Sequence, residues 1–174
     1  EMTSSLVGSE MCIRDSMERL YEKFILEYYK QHHPELDPKS VQVKWNLTEQ
    51  PDETMIQFLP KMQTDITLQK GDKTLIIDAK YYGKSMAQSY SKETLRSAHL
   101  YQIFAYVKNM DTTNTGNVSG LLLYAKTEDE VFPEGEPFVI GGNSIGARTL
   151  DLNNSFDLIS TQLESVIYDY RLGG

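Results

Sequence analysis

The sequence predicts an α/β domain in which a mixed central sheet is flanked by helices. Three observations carry this reading. Apolar residues recur at helical spacing over 17–33, 93–110 and 155–172, and strand-type runs fill 41–47, 62–69, 74–82 and 118–126 between them. A tight turn at 70–73 joins two of those runs as a hairpin, and the helix after it leads to a further apolar run. With 174 residues, 40% of them hydrophobic, the chain can bury a sizeable single core.

Taken in order, residues 1–16 (EMTSSLVGSEMCIRDS) lack a sustained period, and SLVGSEMCIRDS resembles translated adapter sequence. They read as a non-native leader outside the fold, which leaves one domain over 17–174. A helix over 17–33 places Leu20, Phe24 and Tyr28 four apart and ends before Pro34. A strand follows at 41–47 and a turn at 50–54, and 55–59 extends the sheet until Pro60 breaks it. After the hairpin, 83–92 is polar and Ser-rich and reads as a mobile loop near the site. The helix over 93–110 presents Leu95, Leu100, Ile103, Phe104 and Val107, and a turn-rich loop at 111–117 leads into the GLLLYA strand, apolar enough for the sheet centre. An acidic loop at 128–136 precedes short strands at 139–140 and 147–152 around Gly141-Gly142, and a last helix over 155–172 is capped by Asn154 or Ser155.

The chemistry concentrates in MQTDITLQKGDKTLIIDAKYY, residues 62–82. Because strand side chains alternate with period two, Asp78 and Lys80 project to one side of the second strand while Ile77 and Ala79 project to the other. Asp65, on the partner segment, completes two carboxylates and an ammonium that can converge. Such a set suits metal-dependent phosphodiester cleavage: carboxylates hold Mg²⁺, and a lysine orients the water or neutralises developing charge. Aspartate is disfavoured inside strands, so LIIDAK calls for a reason. The pattern alone is also that of a surface hairpin with solvated Asp and Lys.

The run FLPKMQTDITLQKGDKTLIIDAKYYG (58–83), followed by HLYQIFAYVKN (99–109), resembles the PD-(D/E)xK nuclease domain of the McrC-type subunits of McrBC 5-methylcytosine restriction systems. The resemblance extends from about Met17 to near the C-terminus. It implies a restriction-endonuclease-like fold and a Mg²⁺-dependent cut in double-stranded DNA, with Mn²⁺ as a possible substitute. It also implies a McrB-like AAA+ GTPase partner that reads the methylated base, engaged through an N-terminal region that 17–174 lacks. Asp65 matches the first acid of the motif, Asp78 the second and Lys80 the lysine. Glu22 looks like the helical acid that joins Asp65 and Asp78 as a metal ligand, and Gln102 and Tyr106 match a Q-x-x-x-Y helix. Thr64 stands where the motif's name has proline. Read without the resemblance, Glu22 is also an ordinary exposed helix residue, and Gln102 and Tyr106 a helix-to-sheet packing pair. The rival readings are a PD-(D/E)xK nuclease of a repair or CRISPR-associated system, and a catalytically inactive module that binds DNA or a partner.

Charge is unevenly spread. Residues 61–108 hold eight Lys/Arg against four Asp/Glu, or +4, and 109–174 hold three against ten, or −7, within a net charge of −8. The motif region is thus the basic part of an acidic chain, which implies weak unaided affinity for DNA. No apolar run approaches a membrane span, and no secretory signal pattern is present, so a cytoplasmic location without membrane contact is expected. Cys12 is the one cysteine, and His32, His33 and His99 lack zinc spacing, so a structural zinc site is not expected. GGNSIGAR lacks the Lys-Ser/Thr ending of a phosphate loop. Trp45, alone in a strand pattern, reads as core.

Overall fold

Alternation along one central strand sorts the molecule into layers, as the computed structural model shows for residues 3–49, 53–81, 86–89, 92–126 and 136–173. That strand is β4 (Lys73–Lys80), buried on both faces from Leu75 onward. Ile77 and Ala79 enter one core with Tyr21, Ile25 and Tyr29 of helix α1 (Thr3–His32) and Ile159, Leu163 and Val166 of helix α4 (Phe156–Asp169). Ile76 enters a second core, on the opposite face, with Ile103, Tyr106 and Val107 of helix α3 (Ser97–Met110). Helices therefore cover both sides of the sheet, as predicted.

Five strands form that sheet in the order β3-β4-β7-β9-β8. β3 (Ile66–Lys70) pairs antiparallel with β4 through the Gly71-Asp72 turn, where Gly71 has φ +60°, a conformation that favours glycine. β4 then pairs parallel with β7 (Val118–Ala125), so α3 is the crossover between parallel neighbours. β7 pairs parallel with β9 (Asn143–Leu150), and β8 (Phe138–Ile140) closes the far edge antiparallel to β9. Gly141 and Gly142 make that last turn, at φ +58° and +87°. α3 lies close on β7 at Gly120: a Cβ there would meet Ile103 Cγ1 at 2.6 Å and Val107 Cγ2 at 3.0 Å.

Several elements differ from the sequence reading. α1 starts at Thr3, so the first residues continue the helix that periodicity begins at Met17. The strand expected over 41–47 shrinks to β1 (Gln42–Val43), because its partner β2 (Met62–Gln63) offers only two residues. Trp45 lies beyond it, half-buried against the second core, and donates its indole N–H to the Pro60 carbonyl at 2.8 Å. The run expected to extend the sheet at 55–59 instead includes a helical turn, α2 (Glu53–Ile56): no strand edge is offered there, and Phe58 and Leu59 donate back to Met55 and Ile56. Residues 83–92 were expected as a loop, but β5 (Met86–Ser89) and β6 (Lys92–Leu95) pair as an antiparallel hairpin, and α3 starts four residues later than its apolar spacing suggests. β8 and β9 are longer than their apolar residues indicate. Ser155 is the N-cap of α4, but its side chain makes no capping hydrogen bond. The acidic loop expected at 128–136, apart from Glu136, lies outside the described residues, as do 50–52 of the expected turn.

Candidate active site

Asp65 sits between β2 and β3, one residue before the β3–β4 ladder begins, and Ile66↔Ile77 pairing puts it level with Asp78 on the face that α3 covers. Its Oδ2 accepts the Ala79 backbone N–H at 2.8 Å. The residue before it explains the missing proline of the motif. Thr64 donates its backbone N–H to Val41 O at 3.0 Å, a bond proline cannot make, and its buried hydroxyl accepts the Val41 N–H at 2.9 Å and meets Thr67 Oγ1 at 2.9 Å. Thr64 thus ties the approach to Asp65 through its backbone and side chain.

Asp78 and Lys80 end β4, at 1% and 7% exposure. The Lys80 ammonium lies 2.9 Å from Asp78 Oδ2, an ion pair between two buried groups. Lys80 Nζ also donates to Gln102 Oε1 at 3.3 Å, and Gln102 Nε2 donates to Tyr106 OH at 2.9 Å. The two α3 residues singled out by the Q-x-x-x-Y spacing therefore form a relay that ends on the motif lysine.

Burial, and then the charges of Asp78 and Glu22, push Asp65 up to about 7. Burial raises Asp78 too, against the opposing pull of Lys80, with Glu18 adding to the rise. Glu22, half-buried on α1, is raised by burial and then by Glu18, with Asp78 adding and Lys80 opposing. Carboxylates held this way repel one another unless a cation stands among them. Among the described residues no three His, Cys, Asp or Glu side chains are drawn close enough to hold a metal ion, so the expected trio of Asp65, Asp78 and Glu22 is not closed. The pair on the hairpin is the nearer fit: Asp65 and the buried Asp78 offer carboxylate oxygens, one of them beside the Lys80 ammonium, and carboxylate oxygen is the hard donor type that Mg²⁺ takes.

Sequence reasoning missed Glu18, one turn before Glu22 on the same face of α1 and felt by both Asp78 and Glu22. Its i−4 spacing was the available signal. It also left His99 without a site role, although His99 Nδ1 meets Tyr124 OH at 2.8 Å beside Lys80. The Asp65, Asp78, Lys80 and Gln102 expectations do meet at one end of the sheet.

Residues 13–125 match the family described as McrBC 5-methylcytosine restriction system component. The chain belongs to that family. Within the McrBC family it is 30% identical over 154 residues to the type IV methyl-directed restriction enzyme EcoKMcrBC of Escherichia coli (strain K12), covering 88% of this chain and 43% of the relative. The chain thus spans less than half the length of that McrBC protein. A solved structure shares the fold: a chain in the refined half-complex from a tetradecameric assembly of Thermococcus gammatolerans McrB AAA+ hexamers with bound McrC aligns with a TM-score of 0.57 and 16% identity, over 88% of this chain and 33% of that one. The five-stranded mixed sheet with helices on both faces is the architecture that the McrBC resemblance implied.

Proposed function

We propose that the chain is the Mg²⁺-dependent DNA endonuclease part of a McrBC-type modification-dependent restriction system, cutting double-stranded DNA together with a McrB-like AAA+ GTPase. One observation carries it: Asp65, Asp78 and Lys80 stand together where the β3–β4 hairpin ends, with the Asp78 carboxylate buried and its Oδ2 paired to the Lys80 ammonium at 2.9 Å. A solvated surface hairpin would leave these groups in water, and a scaffold has no use for them. Family membership supports the same reading, as does the McrB assembly in which the structural neighbour is found.

Asp65 and Asp78 would hold the cation, with Glu22 the weaker candidate. Bound there, Mg²⁺ supplies polarisation of a phosphoryl oxygen and acidification of a water. Asp65 is fixed by the Ala79 N–H through Oδ2. Lys80, oriented by Gln102 and Asp78, sets a positive charge beside the carboxylates, where it stabilises negative charge building on the phosphate during attack. The acidic remainder of the chain limits unaided DNA binding, so loading and methylcytosine recognition fall to the GTPase. No helix among the described residues is long and apolar enough to cross a membrane.

The test is to incubate the chain with Mg²⁺ and DNA carrying or lacking methylcytosine, with and without a McrB-type partner and GTP. Methylation-dependent double-strand cutting only with the partner is expected. Efficient sequence-specific cutting by the chain alone would overturn the reading in favour of a self-sufficient nuclease.

A further inference from the structure

Lys80 is almost wholly buried, and an ammonium in such a place needs directed acceptors and a rigid surrounding. Asp78 and Gln102 supply two contacts. Tyr124 stands directly opposite Lys80 in the parallel β4–β7 register, and it belongs to the core on the α3 side, the face to which Lys80 also points. A lysine and a tyrosine paired in this way bring their tips to similar height above the sheet. Over them lies α3, where His99, Gln102 and Tyr106 follow at helical spacing on one face. His99 and Tyr124 are both buried, joined at 2.8 Å, with ring centroids 5.8 Å apart.

We propose that the His99–Tyr124 pair is the positioning element for Lys80: it fastens the first turn of α3 to the end of β7, so that Gln102 keeps its carbonyl on the ammonium and the ammonium keeps its aim toward the Asp65–Asp78 edge. The inference rests on the role given to Lys80 above. Two features of the helix bear on the fastening. The N-cap of α3, Arg96, makes no side-chain capping bond. Helix α3 also packs closely on Gly120 through Ile103 and Val107, which holds it one to two turns further on. The His99–Tyr124 bond supplies a second point of attachment. Burial, with the charges of Lys80 and then Arg96 beside it, lowers His99 to about 4, so the pair is a neutral imidazole and a phenol at working pH and adds no cation to repel Lys80.

Tyr124→Phe removes only the hydroxyl, His99→Leu removes both ring nitrogens, and His99→Asn returns an amide to the position of Nδ1. The full chain is read first without DNA or metal, by the ¹H–¹⁵N correlation of lysine ammonium groups, with the Lys80 signal assigned through its loss in Lys80→Met. Tyr124→Phe and His99→Leu are expected to shift or broaden that signal, and His99→Asn to restore it. With the partner and GTP present, the first two variants should slow single-turnover cleavage about 10-fold, as a misdirected catalytic group does, while Mg²⁺ affinity stays within about two-fold of wild type. A Lys80 signal unmoved in both variants overturns the proposal, as does a fall in melting temperature with signal and rate unchanged, which marks a merely structural pair. Failure of the underlying reading shows itself differently, as undiminished cleavage in Lys80→Ala.

Discussion

Asp65 costs the metal-free protein stability, because a carboxylate raised to about 7 by burial and by its acidic neighbours is held among like charges. Replacing it by Asn keeps an acceptor for the Ala79 N–H while removing a charge. Asp65→Asn is therefore expected to raise the melting temperature of the metal-free chain, by an amount equivalent to about 1–2 kcal/mol, and to abolish the extra stabilisation that the proposed Mg²⁺ site would give wild type. Thermal melts with and without Mg²⁺ check this, and a variant that still gains from Mg²⁺ contradicts the assignment. Asp78→Ala should lose Mg²⁺ or Mn²⁺ binding in calorimetric titration, whereas Lys80→Ala should retain binding and lose turnover, since its proposed work is on charge in the transition state. These three residues were legible in the sequence because a period of two and a short turn suffice to bring them together. His99 and Tyr124 were not, since their meeting depends on the pairing of β4 with β7 across a long crossover that no local pattern encodes. Glu18 hid for another reason: one Glu on a helix face looks like any other until the helix is docked.

Among the elements, α3 depends most on a single small residue. Gly120→Ala drives a methyl into Ile103 and Val107, whose near atoms are close to the helix backbone and have little room to yield, so a loss of about 1–3 kcal/mol is expected in urea unfolding. Helix α1 is tied to α4 by His33, whose Nε2 meets Glu164 at 2.8 Å while its Nδ1 meets Glu35 at 2.9 Å. Burial opposes the charged imidazole, but bonds to Glu164 and Glu35 outweigh it and raise His33; Glu164 is lowered, its bonds to Tyr28 and His33 overcoming burial. The raised histidine contributes stability that is complete below its unfolded value and fades as pH rises through the folded one. The lowered glutamate contributes above its own unfolded value and fades as pH falls. The tie is thus strongest between roughly pH 4.5 and 6.5. The stability difference between wild type and His33→Asn, followed by urea denaturation across pH, should peak in that window and shrink toward pH 8. The long amphipathic helices and the apolar β7 were readable from periodicity, because burial on one face or both writes itself into the sequence. The α2 turn and the β5–β6 hairpin were misread for opposite reasons: Met55, Ile56 and Phe58 are apolar without a strand to join, and Met86–Ser89 and Lys92–Leu95 are polar yet find each other.

At the scale of the whole molecule, charge governs what the chain can do alone. Its basic excess is confined to residues 61–108, and the remainder is acidic. Binding to duplex DNA should be weak and steeply salt-dependent, resting on phosphate contacts, and should strengthen markedly when the partner is added. Fluorescence anisotropy with a labelled duplex over a salt series checks this, and tight binding at moderate salt without the partner would contradict it. The fold class was legible at this scale because helix and strand runs alternate along the chain. The sheet order was not, since it requires knowing that β3 and β8 take the edges.

The parallel run of β4, β7 and β9 gives the molecule two unlike ends. Asp78 and Lys80 stand where β4 finishes, while the Gly71-Asp72 and Gly141-Gly142 turns sit where β4 and β9 begin, exposed to solvent. Six residue steps lead from Asp72 to Asp78, a span of roughly 20 Å. A fluorophore, affinity handle or surface tether attached at Asp72 would therefore hold the protein by the opposite end of β4 from Asp78 and Lys80, leaving that end of the sheet turned away from the support. Immobilised in that orientation, the chain could be offered the proposed GTPase partner and a duplex in either order, and the sequence of assembly becomes something a sensor surface can record.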